Sequence, residues 1–465
     1  GWWVLVILAF GGCALGPDYK RPDVASPSAY RFESGAGTNS FGDLGWREVF
    51  PDPLLQGLIS AALTNNYDLQ QAVARVEQAR NLAVAARAPL MPAVGYGGNV
   101  GRGRNSVLNS PVPTEGLTES SASATLGATW EIDVWGRIRR LSQAARAQYL
   151  ATDEARRAVT ISLVGQVSTA YFQLMQYDRE LQIQRDATNA YMGSYRIFDQ
   201  RRINGVASKL ETDRALAAFA NAAAAIPTLE LSVALTENQL SVLLGQAPGP
   251  VNRRTLDETA NWPMDIPAGL PSALLQRRPD VAASEQSLIA ANANIGANLA
   301  AMFPQFGLTA FLGKVSPELS AFTGGSANAW NLGATLAGPL FQGGALRAQY
   351  RAAKAQFQES LASYQQTVLT ALQDVSNALI SREKYAVARS ANQDAVVALT
   401  SSVDLATQRY LNGKSSYYEV LQAQQELYPS QRAEVQARVN ERLSVIQLYV
   451  ALGGGWTNTA PAIAP

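Results

Sequence analysis

Period-two alternation marks four segments of the chain. From Ser121 to Val134 the even positions are Ala122, Ala124, Leu126, Ala128, Trp130, Ile132 and Val134, and the odd ones Ser121, Ser123, Thr125, Gly127, Thr129, Glu131 and Asp133. One face is apolar and the other polar, the pattern of a strand lying between two media. Phe306, Leu308, Ala310 and Leu312 repeat it, as do Trp330, Leu332, Ala334 and Leu336, while Val94, Tyr96, Gly98 and Val100 carry a weaker version. About 9–11 residues of strand suffice to cross a bilayer, so the segments fit a membrane β-barrel; a half-buried soluble sheet would show the same alternation.

Between these strands the period changes to that of helices. Gly136 to Asn204 contains no proline and only Gly165 and Gly193 inside it, and Gly344 to Asn412 contains neither residue type inside. Leu163, Val167, Ala170, Leu174, Tyr177 and Leu181 alternate steps of 4 and 3, and Val368, Leu372, Val375 and Leu379 do the same, which is coiled-coil spacing. Asn204-Gly205 and Asn412-Gly413 end the two stretches with residues that tolerate a left-handed backbone. Shorter return helices are expected at Lys209–Leu244 and Tyr417–Leu452, and leading helices at Tyr67–Ala88 and Pro279–Met302, stopped by Pro89 and Pro304.

The same order of elements occurs twice. Asp68 corresponds to Asp280 at an offset of 212, Leu126-Gly127-Ala128-Thr129 recurs as Leu332-Gly333-Ala334-Thr335 at 206, and Gln200-Arg201 recurs as Gln408-Arg409 at 208. The offset shifts only in loops, as in a duplicated fold. The first repeat spans residues 54–246 and the second 268–455, joined by a Pro-rich linker at 247–267, with a short tail at 456–465. Residues 1–12 are an apolar run ending in small residues, too short to span a bilayer, and they resemble the remnant of a signal peptide. Cys13 then stands where a bacterial lipoprotein is acylated, and Leu15, in place of an aspartate, favours the outer membrane. Residues 13–53 are expected to form a lipidated N-terminal segment and part of a collar.

Four strands cannot close a barrel, and an open sheet edge is forbidden in lipid. Copies must therefore pool strands; two would give a barrel filled by its own side chains, and three give about 12 strands with room for a pore. Composition narrows the alternatives. The chain has 38 Lys+Arg against 37 Asp+Glu, a balance that gives no support to a nucleic-acid partner. It has no His and 1 Cys, which removes histidine bases, His or Cys-cluster metal sites and internal disulfides. Charged residues are 16%, below the roughly 25% of soluble chains, yet the mean hydropathy of −0.06 is too low for a bundle of membrane helices. No catalytic constellation and no cofactor site is evident, and 5 scattered Met argue against a methionine pathway for soft metals.

The segment from Leu270 to Thr309, LPSALLQRRPDVAASEQSLIAANANIGANLAAMFPQFGLT, follows Gly16-Pro17-Asp18-Tyr19-Lys20-Arg21-Pro22 in the chain. With Arg278-Pro279-Asp280, Ile295-Gly296, Phe303-Pro304 and both Asn-Gly turns in order, nearly the whole chain closely resembles the outer-membrane efflux factors (TolC/OprM-like), in their lipoprotein branch. The resemblance implies a membrane α+β fold: a homotrimer whose 12-stranded outer-membrane β-barrel is continuous with a long periplasmic α-helical barrel, ringed by a collar of short segments, the linker and the termini. It further implies outer-membrane lipid around the barrel, a periplasmic adaptor (membrane fusion) protein, an inner-membrane pump, and outward passage of drugs or metabolites. An autonomous outer-membrane pore and a structural periplasmic coiled-coil lipoprotein are the alternatives; the long helices disfavour the first and the alternating strands the second.

Two groups of residues are candidates for function. The exposed turns Asn204, Gly205, Val206, Ala207, Ser208 and Asn412, Gly413, Lys414, Ser415, Ser416 are candidate docking tips for the adaptor. Glu211 and Glu419 stand at one repeat position, offset 208, just after the tips, and near a three-fold axis each would form an acidic ring able to select or block traffic. By the resemblance, Tyr410 bonds Glu211 in the closed state, and acidic rings fall at Glu419 and at the site held here by Gln422. Gln422 is uncharged, and Ser415 replaces an arginine found in some members, so this gate departs from the pattern of the family it resembles.

Overall fold

The computed structural model describes residues 14–24, 27, 29–32, 41–104, 118–256, 274, 277–316 and 320–454. Cys13, the apolar residues 1–12, most of the linker and the tail at 456–465 lie outside the described residues. The elements are α1 (Pro53–Asn65), α2 (Tyr67–Arg87), β1 (Ala93–Arg104), β2 (Thr118–Ile132), α3 (Arg137–Ile203), α4 (Lys209–Leu243), α5 (Pro279–Ala300), β3 (Gln305–Ser316), β4 (Asn328–Ala337), α6 (Ala345–Leu411) and α7 (Tyr417–Ala451). The chain divides into two compact units: residues 1–23, 74–153 and 283–365, and residues 24–73, 154–282 and 366–465. Each unit takes segments from both repeats.

In the first unit the four strands form one antiparallel sheet in the order β1-β2-β3-β4. Directly paired residues point to the same face. The register Tyr96↔Leu126↔Leu312↔Trp330 therefore continues one apolar row across all four strands, and Trp130↔Leu308↔Ala334 a second. The opposite face carries Ser123, Thr125, Thr129, Thr309, Asn331 and Thr335 among glycines. The apolar face is bare: Tyr96 is 91%, Trp330 76% and Leu332 74% exposed. All four helix-connected strand ends, at Ala93, Ile132, Gln305 and Ala337, lie along one edge of the sheet. Among the described residues, each of β1 and β4 has a strand partner on one side only.

The strand expected to reach Val134 stops at Ile132 because Asp133 turns to cap the next helix. Its carboxylate accepts from the backbone N–H of Ile138 at 3.1 Å and of Arg139 at 2.9 Å, satisfying orphan donors of α3. The motif after Cys13 is structural. Leu15 donates to the Trp135 carbonyl at 2.9 Å, Arg140 reaches the Leu15 carbonyl and the Asp18 carboxylate, and Asn292 donates to the Pro17 carbonyl. Tyr19 and Arg21 both donate to Glu285, at 3.1 and 2.8 Å, and burial together with that carboxylate pushes the Tyr19 hydroxyl pKa up. Gly16 and Gly296 face one another so closely that a Cβ on Gly16 would lie 2.4 Å from the Gly296 Cα.

In the second unit the coiled-coil spacing of α3 becomes a core. Leu163, Val167, Ala170, Leu174 and Leu181 are all buried, as are Val368, Val375 and Leu379 of α6. Tyr171 donates to Asp52 at 2.6 Å, and Asp52 also caps α1 through the Leu54 N–H. The duplication is visible in how helix ends are closed. Asn66 Nδ2 donates to the carbonyl of Leu243, the last residue of α4, at 3.0 Å. Arg278, its counterpart in the second repeat, donates to the carbonyl of Ala451, the last residue of α7, at 3.2 Å. Arg278 also holds Asp280 and Asp374, which explains the Arg-Pro-Asp motif: the arginine joins three helices and the proline opens α5.

Two substitutions test this architecture. Leu126→Arg or Leu332→Arg puts a cation on the apolar face and should cost about 2–4 kcal/mol of membrane insertion each, read as loss of the heat-resistant assembled form from membranes. Thr129→Arg, on the polar face, should leave insertion near the wild-type level.

Candidate functional site at the helical tips

The two tips share one backbone design. Gly205 and Gly413 sit at φ 71° and 68°, in the left-handed region where a glycine avoids a Cβ clash. The N–H of Val206 bonds the Arg201 carbonyl at 2.7 Å, and that of Lys414 bonds the Arg409 carbonyl at 2.9 Å. Each turn thus closes the carbonyls left open at the end of α3 or α6, a Schellman-type cap. Asn204 and Asn412 bond back to the Gln200 and Gln408 carbonyls, through both the backbone N–H and the side-chain amide. Val206 is exposed, Ala207 packs beside the buried core around Phe198 and Ala215, and Ser208 and Ser416 are the N-cap residues of α4 and α7.

The side chains at matching positions are wired differently. In the first tip Glu211 closes a capping box: its carboxylate accepts from the Ser208 N–H at 2.9 Å and from the Ser208 hydroxyl at 3.0 Å, while Ser208 Oγ accepts from the Glu211 N–H. These Ser208 donors, with Arg201 nearby, hold the Glu211 carboxyl below its ordinary pKa. In the second tip Ser416 makes no side-chain cap. Glu419 instead pairs with Arg409 at 3.2 Å.

The direct Tyr410–Glu211 bond expected by resemblance is not formed. Tyr410 stacks edge-on against Tyr417 at 4.8 Å, and its hydroxyl accepts a long 3.5 Å contact from Arg201. Glu211 turns instead to the helix start, because a carboxylate there satisfies orphan N–H donors at short range. Arg201 thus stands between the two expected partners. Around Tyr410 and Tyr417, Val403, Ala406, Val420 and Ala423 make a small apolar core, and Tyr417 shares its hydroxyl with Ser194 at 3.0 Å.

Beside the second tip, α6 and α7 enclose an open groove of about 450 Å³, lined by Arg409, Glu419, Gln422 and Glu426 with Ser401, Ser402 and alanines. Gln422 donates to Glu426 at 3.4 Å. A carboxylate thus stands one turn beyond the uncharged Gln422, at Glu426. Arg201 and Arg409 are the site residues that sequence reasoning passed over. They stand at the same offset of 208 that singled out Glu211 and Glu419, so the repeat itself carried the signal. Among the described residues no cluster of three or more acidic or cysteine side chains fits a metal ion.

Comparison with known proteins adds independent findings. The family model described as "Outer membrane efflux protein" matches residues 58–246 and again 270–454. The chain is 36% identical over 462 residues to the probable efflux pump outer membrane protein TtgC of Pseudomonas putida, covering 97% of this chain and 95% of that protein. It is 33% identical to the cation efflux system protein CusC of Escherichia coli O6:H1, covering 97% of each. Among solved structures, the open state of the MtrE outer membrane channel of Neisseria gonorrhoeae matches with a TM-score of 0.85 at 31% identity, covering 95% of this chain and 98% of that one. The outer-membrane channel OprN matches with a TM-score of 0.87 at 29% identity, covering 96% and 100%.

The unequal wiring of the tips gives two expectations. Ser208→Ala removes a working cap and should cost about 1 kcal/mol locally, roughly a fivefold loss of amide protection at the start of α4; Ser416→Ala, at a cap with no side-chain bond, should change the start of α7 far less. Hydrogen exchange at the two helix starts measures both. Because the Glu211 pKa is lowered on folding, its contribution is complete above the ordinary carboxylate range and is lost as pH falls through the depressed value. Protection at the start of α4 should therefore drop on acidification in the wild type and show a smaller acid-dependent drop in Glu211→Gln.

Proposed function

This chain belongs to the outer membrane efflux protein family and is the outer-membrane channel of a tripartite efflux system, and we propose how its residues divide that work. Three copies join their four-stranded sheets, β4 of one beside β1 of the next, into a 12-stranded barrel with the serine and threonine face toward the pore. The observation that carries this reading is the sheet itself: a bare apolar face and two edges lacking strand partners are stable in lipid only when further copies close the ring. The exposed Leu210, Leu216, Leu231 and Leu235 of α4 supply apolar surface for packing between copies in the helical part.

A periplasmic adaptor engages the tips Asn204–Ser208 and Asn412–Ser416, and an inner-membrane pump drives drugs or other small molecules into the tunnel. Passage requires no chemical step, and the protein acts as a conduit rather than an enzyme. Acylation of Cys13 adds a second hold on the outer membrane. Its support is the placement of Ala14, whose Cα would lie 2.6 Å from a Cβ on Gly136, at the junction of β2 and α3. The closed state is held by Arg201 on Tyr410 and by Arg409 on Glu419, with Glu211, Glu419 and Glu426 giving the entrance its acidic lining and the uncharged Gln422 between the last two. The exposed Arg409–Glu419 pair is worth only about 0–1 kcal/mol, which suits a gate that opening must break.

Planar-bilayer recording tests the gate. Arg201→Ala combined with Arg409→Ala should raise single-channel conductance and sensitise cells to large antibiotics such as vancomycin. Glu419→Ala should lower cation selectivity, and unchanged conductance and selectivity in all these variants would reduce the residues to helix-end acids and bases. Gly205→Trp and Gly413→Trp should block export while trimers persist. Metabolic labelling should place lipid on the wild type and none on Cys13→Ser.

A further inference from the structure

The two places where a strand hands over to a long helix have unequal electrostatics. At the start of α3 three of the four arginines are neutralised inside the protomer: Arg137 pairs with Glu131 at 2.6 Å, Arg139 with Asp133 at 3.2 Å and Arg140 with Asp18 at 2.9 Å, leaving only the exposed Arg146, the counterpart of Lys354, without an ion pair among the described residues. At the start of α6 the cations are Arg347, Arg351 and Lys354, spaced 4 and 3 apart and so on one side of the first turns. All three are exposed, and none forms an ion pair among the described residues; Lys354 lies over the Tyr350 ring at 4.8 Å.

The difference is traceable to sequence. At the helix offset of 208 Arg139 corresponds to Arg347, whereas Asp133 falls on Pro339 by the strand offset of 206 or on Phe341 by the helix offset, and residues 338–344, GPLFQGG, hold no carboxylate to neutralise or cap as Asp133 does in the first repeat. Leu340 and Phe341, between β4 and α6, are 105% and 89% exposed. Moving from β4 into α6, the chain therefore presents apolar strand residues, then two bare apolar side chains, then a cationic stripe with a tyrosine. That is the order met in crossing from acyl chains to headgroups.

We propose that the β4–α6 junction is a binding surface for anionic phospholipid of the periplasmic leaflet, with Leu340 and Phe341 in the acyl layer and Arg347, Arg351 and Lys354 on the phosphates. The proposal rests on the outer-membrane placement argued above. Its occupant follows from charge complementarity and from continuity with the lipid-facing sheet. With Arg137, Arg139 and Arg140 paired, the α3 start keeps one free cation among the described residues, Arg146, against three at the α6 start. The effect is to fix the depth and tilt of each barrel segment by charge at the junction.

Purified trimer in phosphatidylcholine bilayers doped with phosphatidylglycerol tests it, by mass spectrometry of the lipid carried with the protein at low and high salt. The wild type should enrich phosphatidylglycerol and lose that enrichment in high salt. Replacing Arg347, Arg351 and Lys354 together by Gln should lower retention by more than the roughly fivefold expected for one cation, while Arg137→Gln, at the paired junction, should not. Phe341→Ser alone should lower it partially. Retention unchanged in the triple variant would overturn the proposal, as would a triple variant whose trimers fall apart in phosphatidylcholine alone, since the cations would then serve a neighbouring subunit. Conductance of the triple variant separates the two readings: a normally conducting channel with unaltered lipid retention sinks the lipid surface and leaves the channel assignment standing.

Discussion

The hydrogen-bonding demand of backbone in hydrocarbon governs this molecule. A peptide group that meets lipid must find its partner within protein, because no water is present to replace it. Four antiparallel strands satisfy this internally through 12, 11 and 10 paired positions at their three junctions, but the outer edges of β1 and β4 remain. Everything that makes the chain a component rather than a self-sufficient pore follows from those edges. The protomer must multiply to close them, multiplication produces a pore wide enough to conduct, and the helices attached to one edge of the sheet must be compatible with the same symmetry.

Within the protomer, the duplication turns one set of physical solutions into two variants. The asparagine at 66 and the arginine at 278 close equivalent helix ends, but only the arginine has enough donors to collect Asp280 and Asp374 as well. The tips repeat the same glycine turn and the same arginine and glutamate positions. In one the glutamate serves the helix start, and in the other it pairs across to the preceding helix. Identical letters at matching positions thus carry unequal roles. The glutamate carboxylate accepts either from the serine at the helix start or from the arginine of the preceding helix, and small differences in local packing decide the pairing. That inequality gives a duplicated fold one helix start closed by a capping box and one without a side-chain cap.

The same logic separates the strand–helix junctions. Asp133 makes the first junction a closed electrostatic unit, capping α3 and binding Arg139 at once. The second junction, with no carboxylate in residues 338–344, has no such unit, and the positions of Arg137 and Arg140 are held there by Ala345 and Ala348.

Much of this was readable from the chain. Alternation with a period of two gave the four strands and their faces, because side chains on a pleated strand must alternate. Proline-free stretches with steps of 3 and 4 gave the long helices to within a residue or two of their ends, since Gly136 and Gly344 before them and the Asn-Gly pairs after them leave little freedom. The offset of 208 gave the equivalence of tips and arginines. Pairing was beyond it. Nothing local to Tyr410 says that its hydroxyl meets Arg201 rather than Glu211, or that Glu419 abandons its cap for Arg409, since those choices depend on how two helices remote in sequence lie side by side. Period and punctuation are properties of the chain alone, whereas the partner of a side chain is a property of distances that only the packed tertiary structure sets.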